Sequence, residues 1–223
     1  MFIVIDDNNY DIPDYDGIVP IIKINNTECE NAGFKSTVMD FDNRACSRDK
    51  ALYYFTRGSI NYQHIWFIEE DVFIPTIHTI EQIDKKYEGD LLVRNHYITN
   101  EKKTDWHWNK INRQIKLDLP YACSMICAIR CSKALLQGIK EYAETHHNLF
   151  MDEALFNTIA LKCDLQVTCI PELVGIEYER NWNRSEILDT HLYHPIKNID
   201  TQYCYRLNTQ YYYRPNCITV ILG

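Results

Sequence analysis

The sequence predicts an α/β protein with a mostly parallel central sheet flanked by helices. Short apolar runs alternate with amphipathic segments from the N-terminus onward, the pattern of successive strand–helix units. Acidic residues gather where two of the apolar runs end. The chain has 223 residues, 46% hydrophobic and 24% charged, which is enough for one sizeable core and ordinary for a globular protein. No repeat, low-complexity tract or linker interrupts it, so residues 1–223 are expected to form a single domain.

The elements follow in order. "FIVID" reads as a buried first strand ending at Asp6 and Asp7, and "GIVPIIKIN" as a second strand that Pro20 places near an edge or bend. "ACSRDKALYYFTRG" is a helix closed by Gly58. The strand "HIWFI" precedes the helix "PTIHTIEQIDKKYEG", and "DLLVRNHYI" is the next strand. "YACSMICAIRCS" reads as a strand leading into the helix "SKALLQGIKEYAETHH", with Ser132 as N-cap. The helix "FMDEALFNTIALKC" and the strand "LQVTCIP" complete the alternation, and after about residue 170 the pattern becomes irregular and aromatic-rich.

Bulk properties exclude several classes. With 31 acidic and 23 basic residues the formal charge is −8, which argues against a nucleic-acid-binding surface. "MFIVIDDNNY" has no basic segment before its apolar run and reads as a strand, not a signal peptide. No apolar run approaches the ~20 residues that span a bilayer, so a soluble, cytoplasmic protein with no membrane span is expected. Nine cysteines form no CxxC pair, which removes zinc-ribbon and thioredoxin-like readings. Free, largely buried thiols in a reducing compartment are expected instead. GxxxxGK, GxGxxG, HExxH and GxSxG are all absent.

The stretch "HIWFIEEDVFIP" sets Glu69, Glu70 and Asp71 between two runs that each resemble a buried strand. Ionised carboxylates are costly to bury without a partner, so a cation, a basic cluster or water at a strand end must compensate them. In extended backbone Glu69 and Asp71 lie on one side and Glu70 on the other. Hard oxygen donors of this kind suit Mg2+ or Mn2+. In open α/β sheets ligands collect outside the carboxyl ends of strands, where Asp6, Asp7 and this triplet all fall.

Other candidates stay open between a functional and a structural role. "HLYHPIKN" offers His194 as an imidazole ligand and Lys197 as a cation for a phosphate, or else a surface His-Pro turn. In "FMDEALFNTIA", Asp152 and Glu153 fall in the first turn of a buried helix, where they favour the helix terminus or act as a general base. Trp106 and Trp108 in "TDWHWNK" present faces for sugar rings or form a small satellite core. Arg44 and Lys50 flank the first long helix, within reach of nucleotide phosphates or as plain surface charge.

Taken in order, "FIVID", "RDKALYYF", "IWFIEEDVFIP", the "DLL" strand, the "WHW" loop, "SMICAIRCSKALL", "MDEALFNTIA" and "YHPIKN" resemble a nucleotide-sugar glycosyltransferase of the GT-A type. The likeness spans nearly the whole chain, and "EED" is similar to the family's DxD-type metal motif, with Glu in place of its first Asp. It implies a Rossmann-like single domain with residues 1–100 as the nucleotide-sugar donor half. Residues 101–223 would form the acceptor half and carry a C-terminal metal-ligand segment. It also implies Mn2+ or Mg2+ held by Asp71, Glu69 and His194. Asp6, Asp7, Arg44, Lys50, Glu69, Glu70 and Lys197 would stand around the donor, a UDP-sugar before a GDP-sugar. The "DE" resembles the base motif of inverting members, so Glu153, with Asp152 as the fallback, would take the proton from an acceptor hydroxyl. The acceptor would be a glycan or glycoprotein, with Trp106 and Trp108 against it. Short length and the lack of an anchor are similar to small soluble bacterial or viral members. Two other classes compete. A sugar-nucleotide nucleotidyltransferase would carry a Gly-rich basic loop where Asp6-Asp7-Asn8-Asn9 stands, and a non-catalytic carbohydrate-binding protein would need neither Glu153 nor a metal.

Overall fold

A computed structural model of the chain describes residues 1–5, 19–36, 45–76, 78–105, 108–196 and 217–222, the last segment and residue 110 as backbone only. Asp6, Asp7, Arg44, Trp106 and Lys197 lie outside the described residues.

The fold is mixed α/β. Its strands are β1 (Phe2–Ile5), β2 (Ile21–Ile22), β3 (His64–Glu69), β4 (Leu91–Val93), β5 (Tyr97–Thr99), β6 (Tyr121–Cys123), β7 (Ala128–Ser132), β8 (Val167–Cys169) and β9 (Cys217–Leu222). The helices are α1 (Asn26–Asn31), α2 (Ser47–Arg57), α3 (Thr79–Lys86), α4 (Trp108–Gln114), α5 (Lys133–His146) and α6 (Asp152–Lys162). Seven strands form the central sheet in the order β2-β1-β9-β3-β7-β4-β8, and β5 pairs with β6 in a separate ribbon. β2 is an edge strand, as Pro20 suggested.

The expectation of a mostly parallel sheet is corrected. Among the described strands of the central sheet, only β1–β2 and β4–β8 pair in parallel. β1–β9, β3–β9, β3–β7 and β4–β7 are antiparallel. The physical reason is that β7 and β9 are inserted head-to-tail between strands that otherwise share one direction. Apolar pattern identifies a strand but carries no information about which way it runs. Because β1, β2, β3, β4 and β8 still point the same way, their carboxyl ends share one sheet edge.

The sheet is covered on both faces, which explains why its strands read as unbroken apolar runs. Ile65 and Phe67 of β3, Leu91 and Val93 of β4, and Ile129 and Cys131 of β7 pack into a core with α2, α5 and α6. The alternate residues Trp66, Ile68, Leu92 and Ala128 join a second core with Ile80 and Ile83 of α3 and with Leu173 and Ile176. Successive side chains of a strand point to opposite faces, so one run serves both cores. Arg130, 2% exposed, falls on the α3 face. It donates to Asp84 Oδ1 at 3.0 Å and to the Tyr87 carbonyl at 2.9 Å, while the Trp66 indole donates to the same Asp84 oxygen at 3.0 Å.

Several segments differ from their predicted state. "DLLVRNHYI" is split into β4 and β5, and "YACSMICAIRCS" into β6 and β7, each half belonging to a different sheet. "TDWHWNK" enters α4 instead of forming a loop, and Trp108 is 5% exposed, stacked on Tyr121 at 6.4 Å between ring centroids. Trp108 is therefore a core residue and not a face for an acceptor sugar. Ser132 caps α5 as expected, accepting from the Leu135 N–H at 3.1 Å. All seven described cysteines whose side chains are placed are free.

Asp49, in the first turn of α2, is buried, and its Oδ2 accepts from the Ser36 and Cys46 N–H groups, both at 3.1 Å, and from the Ser36 hydroxyl at 3.2 Å. Burial outweighs these donors and pushes the carboxyl from 3.8 up to about 6. The folded chain then holds a proton between pH 4 and 6 that the unfolded chain has lost, so this group's stabilisation is complete below pH 4 and disappears as pH rises through 6. Asp49→Asn keeps an acceptor oxygen and removes the titration. Urea unfolding at pH 4 and pH 7 should find the variant gaining on the parent by up to about 3 kcal/mol across that interval. An unchanged difference between the two proteins would refute the assignment.

Candidate active site

The site is built at the edge where β3 and β4 end and α2 and α6 begin. α2 carries Arg48 on the same stripe as Ala51, Leu52 and Phe55, so its guanidinium is driven inward with the apolar side chains and ends 4% exposed. A buried guanidinium stays charged and must find carboxylates. Arg48 Nη1 donates to Asp152 Oδ2 of α6 at 2.7 Å, and Nη2 donates to Glu69 Oε1 of β3 at 2.5 Å. Three segments far apart in sequence are thereby joined through one side chain.

Beyond Glu69 the chain turns sharply, the Val72 N–H bonding the Glu69 carbonyl at 3.1 Å. The turn brings Asp71 back beside Glu69, and both face His194. His194 Nε2 is 3.1 Å from Asp71 Oδ1 and 3.7 Å from Glu69 Oε2. His194 is 8% exposed and Asp71 likewise 8%. The imidazole is aimed by its backbone. Tyr193 bridges to Phe73, and His194 bridges to Ile176. Gly175 permits that approach, because a Cβ there would come 2.5 Å from the Leu192 carbonyl oxygen and 2.8 Å from the Tyr193 ring. Arg94, just past β4, donates to the Ile176 carbonyl at 2.6 Å and steadies the same segment. Trp182 donates from its indole to the His194 carbonyl at 3.1 Å.

The protonation of His194 follows from its partners. Nδ1 is 2.6 Å from the Glu177 carbonyl, which can only accept, so Nδ1 carries a proton and Nε2 is the atom turned to the carboxylates. Burial works to lower the imidazole's pKa, but Asp71 and then Glu69 hold it above its ordinary value. His194 Nε2 thus faces Asp71 on one side and Glu69 on the other, and the Glu177 carbonyl supplies the outer hydrogen bond that metal-binding histidines use. Cys127, the residue before β7, lies across from Glu69, whose N–H bonds the Cys127 carbonyl at 2.8 Å. Ligand atoms of Glu69, Cys127 and His194 all lie within 4.8 Å of one another.

Across Arg48 the two carboxyls of α6 are driven apart in acidity. Burial opposes ionisation of Asp152, but Arg48 prevails and holds its pKa below the ordinary value. Among the described residues Glu153 makes no ion pair with a cation, and Arg48 acts on it only weakly. Its Oε2 is sealed from solvent without a hydrogen-bond partner among the described residues. Burial and then the charge of Asp152 push the Glu153 pKa well up. A neighbouring pair of carboxyls with opposite shifts is a usual division of labour between an ionised anchor and a proton-transfer group.

Of the residues expected at a site, Glu69, Asp71, His194 and Asp152 are thus joined in one run of contacts, and Glu153 adjoins it. Glu70 is half-buried in the turn. Lys50 is fully buried and presents no solvent-facing charge, in contrast to the expected cation flanking a nucleotide. Arg48 and Cys127 were not expected. The signal for Arg48 was available, since a cation at the i, i+3/i+4, i+7 positions of an apolar stripe needs an internal partner. Cys127 had no such signal, because its neighbour comes from another strand.

No protein-family model matches the chain, and neither a curated protein nor a solved structure is significantly similar to it. Among the described residues no helix is long and apolar enough to cross a membrane.

Arg48→Ala leaves Glu69 and Asp152 without their shared guanidinium partner. Chemical unfolding should report a loss of about 1–3 kcal/mol, less than for a fully buried pair because the Glu69 and Asp152 side chains left behind are 31% and 28% exposed. A loss under about 1 kcal/mol would mean that Arg48 does not hold the two segments together.

Proposed function

We propose that the chain is a metal-dependent glycosyltransferase of the GT-A type, moving a sugar from a nucleoside-diphosphate donor to an acceptor hydroxyl with inversion. A UDP-sugar is favoured over a GDP-sugar, and the acceptor is a glycan or glycoprotein. The observation that carries this reading is the convergence of Glu69, Asp71 and His194 at a strand's carboxyl end, beside a carboxyl of raised pKa at Glu153.

Asp71, Glu69 and His194 are the residues that would hold Mn2+ or Mg2+. When bound, such a cation supplies Lewis-acid neutralisation of the charge on the departing nucleoside diphosphate. The chain's own residues do the rest. Arg48 keeps Glu69 in place from behind and keeps Asp152 ionised. Burial, and then the charge of Asp152, raises the proton affinity of Glu153, making it a stronger base than an ordinary carboxylate. Glu153 takes the proton from the acceptor hydroxyl as that oxygen attacks the anomeric carbon, and the carbon–oxygen bond to the diphosphate breaks on the opposite face. The alternation of strands and helices, with five sheet strands ending at the same edge, is compatible with a GT-A architecture.

Calorimetric titration of UDP, and separately GDP, with and without Mn2+ tests the donor site. One nucleotide should bind in a metal-dependent way, and Asp71→Ala should lose that binding. Binding of neither by the folded protein would remove the donor model and favour a non-catalytic role. Once a donor and acceptor are identified, Glu153→Gln should lower turnover by about 10²–10⁴-fold while nucleotide affinity is retained. The acid limb of the parent's rate profile should fall above the ordinary carboxylate range, since Glu153 must lose its proton to act. Equal rates for parent and variant would exclude Glu153 as the base.

A further inference from the structure

The carboxylate–imidazole pair has a neighbour that hard-cation chemistry does not use. Cys127 immediately precedes β7, where the β3–β7 register runs Phe67↔Ile129, Ile68↔Ala128 and so brings Cys127 opposite Glu69. The pairing is maintained past the last strand residue by the Glu69 N–H bond to the Cys127 carbonyl. Cys127 is 7% exposed, and its Sγ lies within 4.8 Å of carboxylate oxygen of Glu69 and imidazole nitrogen of His194.

We propose that Glu69, Cys127 and His194 form a site for a thiophilic divalent cation of the Zn2+ or Co2+ kind, selected over Mg2+ by the cysteine sulfur, with solvent as the remaining ligand. The inference rests on the placement of a cation between Glu69 and His194 made above, and is independent of any sugar nucleotide.

The geometry suits such an ion. Around a tetrahedral cation with bonds of about 2.0–2.3 Å, neighbouring ligand atoms lie roughly 3.3–3.8 Å apart. His194 Nε2 already stands 3.7 Å from Glu69 Oε2. The sulfur, no more than 4.8 Å from either atom, has to close by up to roughly 1–1.5 Å to reach that spacing. Imidazole, thiolate and carboxylate are the three ligand types that Zn2+ accepts together, whereas Mg2+ demands oxygen and keeps its waters. The thiol proton leaves to solvent as the sulfur–metal bond forms, with no change in oxidation state. Nδ1 of His194 is committed to the Glu177 carbonyl, so Nε2 is presented in the ligating orientation, and Arg48 on the other oxygen of Glu69 keeps that carboxylate from swinging away.

Cobalt tests this directly, because a Co2+–thiolate bond has an ultraviolet charge-transfer absorption that nitrogen and oxygen ligands do not produce. The full chain is used with the exposed Cys163 and Cys169 replaced by Ser, and Co2+ is added to one equivalent and followed by absorption and calorimetry. The expected result is a charge-transfer band saturating at one equivalent. Zn2+ should abolish it and millimolar Mg2+ should not. Cys127→Ser should remove the band and weaken Co2+ binding about tenfold or more, and His194→Gln should weaken binding by a similar factor. No band in the parent overturns the proposal whether or not the variants fold, as does a band that survives Cys127→Ser. The two readings fail separately. Mn2+-dependent UDP binding with no cobalt–thiolate band overturns the cysteine ligand and leaves the donor site standing. A band that requires Cys127 and His194, with no nucleotide bound, supports the metal site and removes the glycosyltransferase.

Discussion

Everything at the site depends on one buried guanidinium. Arg48 is carried inward on the apolar stripe of α2, and once there it cannot shed its charge. The cost of removing it from water is met only by carboxylates in contact, so Glu69 and Asp152 must be delivered to it. That requirement brings the end of β3 and the first turn of α6 to the first turn of α2. The exchange also fixes chemistry. Because Asp152 is ionised against Arg48, its charge adds to burial in keeping the adjacent Glu153 protonated to a higher pH. Because Arg48 takes Oε1 of Glu69, the other oxygen is left facing His194.

The second support is backbone. His194 reaches the carboxylates from a segment without regular secondary structure, and such a segment holds a side chain in place only if its own hydrogen bonds are made elsewhere. Here they are, through the bridges of Tyr193 to Phe73 and of His194 to Ile176, reinforced by Arg94 and the Trp182 indole. The mixed direction of the sheet contributes as well. A β7 parallel to β3 would begin at the opposite edge, and its first residues would never meet Glu69. Running antiparallel, β7 sets Cys127 against the strand end and adds sulfur to an oxygen and nitrogen donor set.

Much of this was legible in the residues. The acidic triplet between two apolar runs announced a compensated charge, and the compensation is Arg48 and His194. Ser132 as a cap, Pro20 at an edge and the thiols as free cysteines all follow from local chemistry, and local chemistry is what a sequence displays. Local sequence left Trp108 open between a sugar-facing and a core residue, because an aromatic residue between polar neighbours is decided only by its partner, and that partner, Tyr121, comes from β6. Lys50 was misread for a related reason: its charge is visible in the sequence, its burial is not.

The sequence by itself determined the alternation of strands and helices, the two-faced apolar runs, and the identity of the groups able to bind a cation or move a proton. These depend on side-chain type and on periods of 2 and 3.6 residues, which are properties of contiguous residues. Only the tertiary structure decided strand direction, the pairing of Arg48 with Glu69 and Asp152, the orientation of His194, and the nearness of Cys127. Each of those is a contact between residues separated by tens of positions or more. Burial and the demand for a partner select such contacts, and neither is expressed until the chain has closed on itself.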